Sequence, residues 1–339
     1  MSDPRCAGLL LLGMLVPAPL ASQSLPPLPR AERARLAEVV RLAAGIRARV
    51  WPGWEHTPLA ILLVGDSAEY LMGHPRPSSD FASIGDTLSG MDIRLRPRVF
   101  DPTLLATFPA VNGLPTIVVG SAKQTRKSST EWVLTLLHEH FHQWQYELPD
   151  YYRRVGLLDL SGGDSTGMWM LNFAFPYQSV EVQEASKHLA LALSTALGAA
   201  RLERPRALAA VIEARARLTG HLTAAEDRYL EFQLWQEGTA RFIEYKAASL
   251  AADMGKPSAE FVALDDYQAY GALATRAQRA LRRELEEFDL GRNRRTSFYP
   301  LGAAMALLLE LTRPGWMRQY EAAPFTMSSL LSEEYGHSR

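Results

Sequence analysis

Two histidines and a glutamate within one short stretch carry the clearest chemical signal in this 339-residue chain. His138, Glu139 and His142 form a His-Glu-x-x-His pattern inside a segment of helical character. Residues i and i+4 share one face of a helix, so the two imidazoles can converge on one metal ion. Imidazole binds zinc well, the ion lowers the pKa of its water to about 7, and a carboxylate takes the proton. The pattern predicts a hydrolytic zinc site with His138 and His142 as ligands and Glu139 as general base.

The residues around this pattern bear on whether it forms a buried site or a His/Glu cluster on an ordinary solvent-facing helix. Apolar side chains flank the motif and favour a helix buried in the core: Trp132, Val133, Leu136, Leu137, Phe141 and Trp144. His140 points elsewhere on the same helix. We expect it to lie behind the ligands or at the surface.

The third ligand must come from elsewhere in the chain, because two histidines do not complete a catalytic zinc site. The long metzincin pattern needs a glycine and a histidine where this chain has Gln145 and Leu148, so that pattern is excluded. No glutamate occurs between Glu147 and Glu181. This gap also excludes the compact, thermolysin-like spacing, in which the ligand glutamate lies about twenty residues beyond the second histidine.

Glu237 is the best later candidate, because Gly238 follows it inside an otherwise helical, apolar stretch. Glycine inside a helix costs about 1 kcal/mol relative to alanine, so its presence here indicates close approach to another helix. We therefore predict Glu237 as the third ligand, the alternative being an ordinary helix ion pair with Arg241. The other candidates are Glu231 and Glu244 on the same helix, and Glu181 and Glu184 on a different one.

The His-Glu-x-x-His motif at 138–142 and the distant Glu-Gly-x-Ala at 237–240 resemble the gluzincin class of zinc metallopeptidases. The resemblance implies a zincin-like metallopeptidase fold, one Zn2+ ion per chain held by the two histidines and the distant glutamate, and a peptide or protein substrate. It also implies that the glutamate of the first motif is the general base. The chain departs from the class in the long separation of the motifs and at Arg241, where several families carry an aspartate. The sequence therefore does not identify the side chain that supports the ligands from behind.

A hydrolase of this kind also needs a group that stabilises the oxyanion. We predict Tyr299 as this catalytic group, because a basic loop at 292–295 leads through it to Pro300, which suits the first turn of an apolar helix. The alternative is that Tyr299 only packs, and His221 is a weaker candidate. Four aromatic residues could line a substrate groove, although such residues more often fill a core: Trp169, Phe173, Phe175 and Tyr177.

Composition narrows the classes of partner and ligand. The chain has 36 basic against 37 acidic side chains and is 47% hydrophobic. A chain this balanced offers no general positive field for phosphates, so we expect no nucleic-acid partner. The single cysteine, Cys6, excludes both a disulfide framework and a thiolate metal cage. A metal site must therefore be built from imidazole and carboxylate.

Residues 1–24 have the pattern of a secretory signal peptide. Arg5 precedes an apolar run over 7–16, and small residues at 21–24 follow two prolines. The alternative is a cytosolic protein with an apolar first helix. The pattern predicts cleavage near residues 21–24 and a secreted or periplasmic protein. We expect no stable membrane insertion after cleavage, because no later segment is apolar for long enough.

Periodicity predicts a mainly α fold with a small N-terminal α/β portion. In that portion we expect a helix over 31–50, buried strands at 59–64 and 116–119, a half-exposed edge strand at 93–99, and a loop over 73–90. Beyond Ser128 we expect helices near 129–147, 178–200, 204–220, 223–253, 266–290, 300–313 and 326–334. We divide the chain into residues 25–127 and a helical catalytic portion, 128–339, and expect the two to form one integrated unit.

The motif specifies an activated water molecule but does not specify which bond that water cleaves. An exported zinc peptidase is therefore the first hypothesis, and a zinc hydrolase of a non-peptide amide or ester is the second. A non-catalytic zinc-binding protein is the third, although such a protein has no need of a base at Glu139. The oligomeric state is left open.

Overall fold

The computed structural model describes residues 26–337. The predicted signal peptide, residues 1–24, lies outside the described residues together with Cys6, so export stays a prediction.

The first part of the described chain forms one long helix and a six-stranded sheet. Helix α1 (Arg30–Val50) confirms the helix predicted over 31–50. Its buried residues, among them Leu36, Val39 and Ile46, recur at three- and four-residue steps and face the core. The strands are β1 (Ile61–Val64), β2 (Ala68–Met72), β3 (Ala82–Leu88), β4 (Met91–Pro97), β5 (Leu105–Val111) and β6 (Leu114–Gly120).

The strands lie in the order β3-β4-β2-β1-β6-β5. Neighbours are antiparallel except for β1 and β6, which are parallel. Both β1 and β6 are interior strands, which explains why they are continuous apolar runs that sequence periodicity identifies. The strands predicted at 59–64 and 116–119 are thus confirmed, whereas β2 and β5 were not predicted.

Two predictions for the sheet are wrong. The strand expected at an edge is β4, which lies between β3 and β2. Its arginines suggested exposure, but Arg96 is largely buried and pairs with Glu69 at 2.7 Å and with Asp80 at 2.6 Å. The loop expected over 73–90 contains β3, which forms the edge of the sheet next to β4, while β5 forms the opposite edge. Because β3 is exposed along most of its length, it lacks the apolar alternation that marks a half-buried strand.

The rest of the described chain is helical, so the protein is mainly α with a small N-terminal sheet region. The predicted helices are present with small shifts of their ends, but the one near 266–290 is divided in two and the one near 223–253 contains a π-helical turn. They are α2 (Ser129–Glu147), α3 (Tyr151–Leu157), α4 (Trp169–Asn172), α5 (Val180–Gly198), α6 (Arg204–Thr219), α7 (Ala224–Gln233), the π turn (Leu234–Gly238), α8 (Thr239–Asp253), α9 (Ala259–Val262), α10 (Tyr270–Glu286), α11 (Leu290–Asn293), α12 (Phe298–Thr312), α13 (Trp316–Ala322) and α14 (Met327–His337).

Helix α2 lies where the sheet meets the helices. Ser128 and Glu131 form a capping box that fixes its start, which satisfies backbone N–H groups of the first turn. The Trp132 indole donates to the carbonyl of Gly120 at the end of β6, at 2.9 Å. Along its other faces α2 contacts β5, α1 and α8. Residues 129–145 are buried except at Glu131, as the apolar flanks of the motif predict.

Within the described residues, no helix is both long enough and apolar enough to cross a bilayer.

Candidate metal centre

The structure brings His138, His142 and Glu237 together from two separate helical segments. The Nε2 atoms of the histidines are 3.1 Å apart, and Glu237 Oε2 lies 3.6 Å from His138 Nε2 and 3.5 Å from His142 Nε2. The point equidistant from these three atoms in their plane is about 2 Å from each, which is the usual bond length from zinc to imidazole nitrogen or carboxylate oxygen. The donor types and their spacing therefore fit a single metal ion.

Glu237 projects from the π turn between α7 and α8. A π turn changes the register of a helix locally and is frequent at functional sites. Next to it, a Cβ at Gly238 would lie 2.4 Å from the Cα of Gly302 on α12, closer than two packed atoms can come. The close helix approach inferred from Gly238 is thus confirmed, and its partner is α12, which also carries Tyr299.

His142 is held in one orientation by an amide on its own helix. Its Nδ1 lies 2.6 Å from Gln145 Oε1. Gln236 Nε2 also lies near this nitrogen, at 3.1 Å. Because an amide oxygen only accepts, the shorter contact to Gln145 favours a proton on Nδ1, which leaves the Nε2 lone pair for a metal. Gln145 is fully buried, and its amide nitrogen donates to the Tyr320 hydroxyl at 2.6 Å and to the carbonyl of Gln236 at 3.1 Å.

Glu244 stands behind His138, two turns beyond Glu237. Its Oε1 lies 3.2 Å from His138 Nδ1, and its Oε2 accepts from Arg241 Nη1 at 2.8 Å. Arg241 thus pairs with Glu244, and the alternative pairing with Glu237 is wrong: Glu237 instead lies near the histidines and Arg295. Glu244 is therefore the side chain that supports a ligand histidine from behind, which the sequence did not identify.

The charges around the centre favour a cation. Burial opposes a proton on His138, but the carboxylates of Glu237 and Glu244 outweigh burial and raise its pKa to about 10. Burial also opposes the charge on Glu237, yet His138 and His142 hold its pKa well below the ordinary value. Glu244 is buried too, and Arg241 leads the contacts that lower its pKa to about 2. The negative charge of Glu237 and Glu244 that favours a proton on His138 would equally stabilise a bound divalent ion.

Glu139 lies beside the ligands and is fixed by the sheet. It is 6% exposed, and the Thr107 hydroxyl of β5 donates to its Oε2 at 2.8 Å and to its carbonyl at 3.0 Å. Glu139 Oε1 accepts no hydrogen bond from the described residues and is not sealed from solvent. One oxygen is therefore anchored while the other is free to accept a proton.

The structure places Tyr299 next to the ligands. Its ring is nearly parallel to that of His138, with the centroids 6.3 Å apart. Arg295 Nη1 donates to the Tyr299 hydroxyl at 2.9 Å and lies 3.3 Å from Glu237 Oε1. Burial, followed by the charge of Glu237, raises the pKa of Tyr299 well above its ordinary value, so the phenol keeps its proton and can donate it to a hydrogen bond.

His140 lies neither at the surface nor behind the ligands, contrary to both expectations. It is fully buried and faces α1, where Arg47 Nη1 is 3.1 Å from its Nε2, while its Nδ1 lies 2.9 Å from Gln143 Oε1. Burial and the Arg47 charge lower its pKa to about 3. His140 is therefore a neutral core histidine.

The remaining candidates lie outside the centre. Glu231 pairs with Arg215 at 2.9 Å and accepts from Ser328, which joins α6, α7 and α14. Three other candidates are exposed side chains: Glu181, Glu184 and His221.

The aromatic residues considered for a substrate groove mainly fill the core. Phe173 stacks on Tyr229 with centroids 4.4 Å apart, and Phe175 packs edge-on against Phe298 at 5.1 Å. Trp169 packs on Phe232, and Tyr177 on Phe175. Core packing is the alternative that the structure supports.

Sequence reasoning missed several residues at this centre. Gln145 stands one turn beyond His142 on the same helix, and that spacing is a usable signal. Tyr146 stacks on the His142 ring at a centroid distance of 6.3 Å. Thr107 comes from a distant segment, and nothing in its local sequence indicates that it reaches Glu139. Arg295 belongs to the basic segment at 292–295 that led to Tyr299, but its contact with Glu237 was not predicted.

Comparison with models of protein families, with curated proteins and with solved structures gives no match for this chain.

Proposed function

We propose that this protein is a zinc-dependent peptidase of the gluzincin type, with a zincin-like arrangement of its helices around the metal. The observation that carries the proposal is the triangle formed by His138, His142 and Glu237, whose size fits a single ion, with Glu139 adjacent to it. A structural zinc site would have four protein ligands and no base, whereas three ligands and a free carboxylate are the composition of a catalytic one.

Zinc bound by these three side chains would supply a Lewis acid that activates water at neutral pH. Glu139 then accepts a proton from the attacking water on its free Oε1, while Thr107 keeps its Oε2 in place. The proton passes from Glu139 to the nitrogen that leaves when the amide bond breaks. Gln145 and Glu244 keep the two histidines turned toward the ligand position.

The position of β5 supports a peptide as the substrate. This strand is an edge of the sheet, paired on one side with β6. An exposed edge offers unpaired backbone groups that an extended peptide can hydrogen-bond as an additional strand. Because Thr107 of β5 contacts Glu139, a chain bound along this edge runs past the general base.

Glu139→Gln tests this function. We expect the variant to retain one zinc per chain, measured by elemental analysis, because Glu139 is not a ligand. Its cleavage of a mixed peptide library, followed by mass spectrometry, should fall by at least about a hundredfold, since a general base typically contributes that much or more.

The matched control is Glu184→Gln, an exposed glutamate on α5 that should keep both zinc and activity. Chelation should abolish cleavage by the wild type, and added zinc should restore it. Full activity in Glu139→Gln, or cleavage that survives complete removal of metal, would contradict the proposed mechanism.

A further inference from the structure

Arg295 enters the centre through a strained turn. The residue before it, Arg294, has φ 48° and ψ −130°, a conformation that residues other than glycine rarely adopt. A short 3-10 turn, Arg294–Ser297, follows and leads into α12. The turn directs the Arg295 side chain to Glu237 and Tyr299, so the backbone strain coincides with delivery of a cation to the metal ligands.

One nitrogen of Arg295 makes all of its hydrogen bonds to described residues. Nη1 contacts the Tyr299 hydroxyl at 2.9 Å, Glu237 Oε1 at 3.3 Å and Gln233 Oε1 at 3.5 Å. Its Nε and Nη2 groups have no partner among the described residues, and neither is buried away from solvent. The side chain as a whole is 22% exposed. Arg295 therefore presents unused donors and a positive charge beside the ligand position.

The bond to Arg295 also orients the Tyr299 hydroxyl. Its oxygen accepts from Nη1, so its own proton must point away from the guanidinium. The hydroxyl also interacts with the Glu237 carboxylate, so the Tyr299 O–H and the open edge of Arg295 lie side by side at the metal ligands.

We propose that Arg295 is a catalytic residue that, together with Tyr299, binds the oxyanion formed when water attacks the scissile carbonyl. The inference rests on the proposed peptidase function and extends the oxyanion prediction, which named Tyr299 and, as a weaker candidate, His221. A fixed guanidinium suits a developing negative charge, because it is always charged and needs no reorganisation during the reaction. In this role Nη1 keeps Glu237 and Tyr299 in place, and the unused Nε and Nη2 donors would bind the carbonyl oxygen.

A purely structural role predicts a different outcome. If Arg295 only neutralised Glu237, its removal would change zinc binding and leave the transition state unaffected. Affinity for zinc, turnover and affinity for a transition-state mimic therefore have to be measured on the same variants.

The experiment compares Arg295→Gln with Arg292→Gln, a matched control at an exposed arginine of α11, just before the turn that carries Arg295. Three quantities are measured on the zinc-loaded proteins: zinc stoichiometry, kcat and KM for a peptide chosen from the library, and Kd for N-phosphoryl-Leu-Phe by calorimetry. For Arg295→Gln we expect retained zinc, a kcat lower by about 10²–10³ with KM little changed, and a Kd raised by a similar factor. Arg292→Gln should match the wild type.

Tyr299→Phe provides a second, independent test. Since both side chains act on one oxygen, the loss in the double variant should be smaller than the product of the two single losses. An Arg295→Gln variant that keeps wild-type kcat, or that recovers it when zinc is supplied in excess, overturns the role of Arg295 while leaving the peptidase proposal intact. A zinc-loaded wild type that cleaves no peptide and does not bind the phosphoryl dipeptide overturns both.

Discussion

Helix α2 places histidines in two opposite electrostatic environments within little more than one turn. On one face, His138 lies against Glu237 and Glu244, and its pKa is raised to about 10 despite burial. On another face, His140 lies against Arg47, and burial together with that charge lowers its pKa to about 3. The residue type, the helix and the degree of burial are nearly the same.

The difference shows that the neighbouring helices decide what each histidine does. Carboxylates from the π turn and α8 create a place where positive charge is stabilised, which is what a metal ligand needs. Arg47 of α1 makes positive charge unfavourable at His140, so that histidine stays neutral and packs in the core. The following predictions test this contrast, from the largest expected effect to the smallest.

Glu237→Gln should abolish tight zinc binding, because it removes a direct ligand and its charge while preserving shape. The loss of affinity should exceed the roughly 10–100-fold that removal of a supporting partner typically causes. His140→Gln is the matched comparison on the other face and should keep wild-type affinity. Competition with a chromophoric chelator measures both values. Equal affinities for the two variants would contradict the assignment of ligands.

Glu244→Gln should weaken zinc binding by about 10–100-fold, since the neutral amide no longer strengthens His138 as a donor. That change corresponds to roughly 1.4–2.7 kcal/mol. Glu310→Gln, at a half-exposed ion pair with Lys246, is the control and should leave zinc affinity unchanged. If Glu244→Gln bound zinc as tightly as the wild type, His138 would not depend on Glu244.

The two histidines should give opposite pH dependence in the metal-free protein. A raised folded pKa means that the stability contributed by His138 is complete below pH 6.5 and is lost as the pH rises toward 10. For His140 the folded pKa is depressed, so the unfolded chain binds the proton first, and stability is lost as the pH falls from 6.5 toward 3. Each effect is at most about 1.4 kcal/mol per pH unit.

Urea titrations in the presence of a chelator, at pH 5, 7 and 9, measure these slopes. His138→Gln should flatten the alkaline limb alone, and His140→Gln the acidic limb alone. Comparing slopes within each variant removes any overall loss of stability that the substitution causes. If either variant flattened both limbs, the two environments would not be separate.

Local signals explain which parts of the fold could be predicted. The interior strands β1 and β6 contain short runs of buried apolar residues and the helices are long and periodic, so both are visible in the sequence. The edge strand β3 is largely exposed, and β4 carries arginines that are neutralised only by residues of other segments, so their places in the sheet were misjudged. Strand order depends on contacts that a linear pattern does not contain.

By itself, the sequence determined the spacing of His138 and His142 on one helix face, the place of Glu139 beside them and the anomaly of Gly238. These follow from covalent spacing and helix geometry, which act within a few turns. Only the tertiary structure decided that Glu237 completes the triangle, that Glu244 supports His138 and that His140 is inert. The direction of a pKa shift and the fit of a metal ion depend on atoms a few ångströms apart in space, and the packing of α1, α8 and α12 around α2 sets those distances.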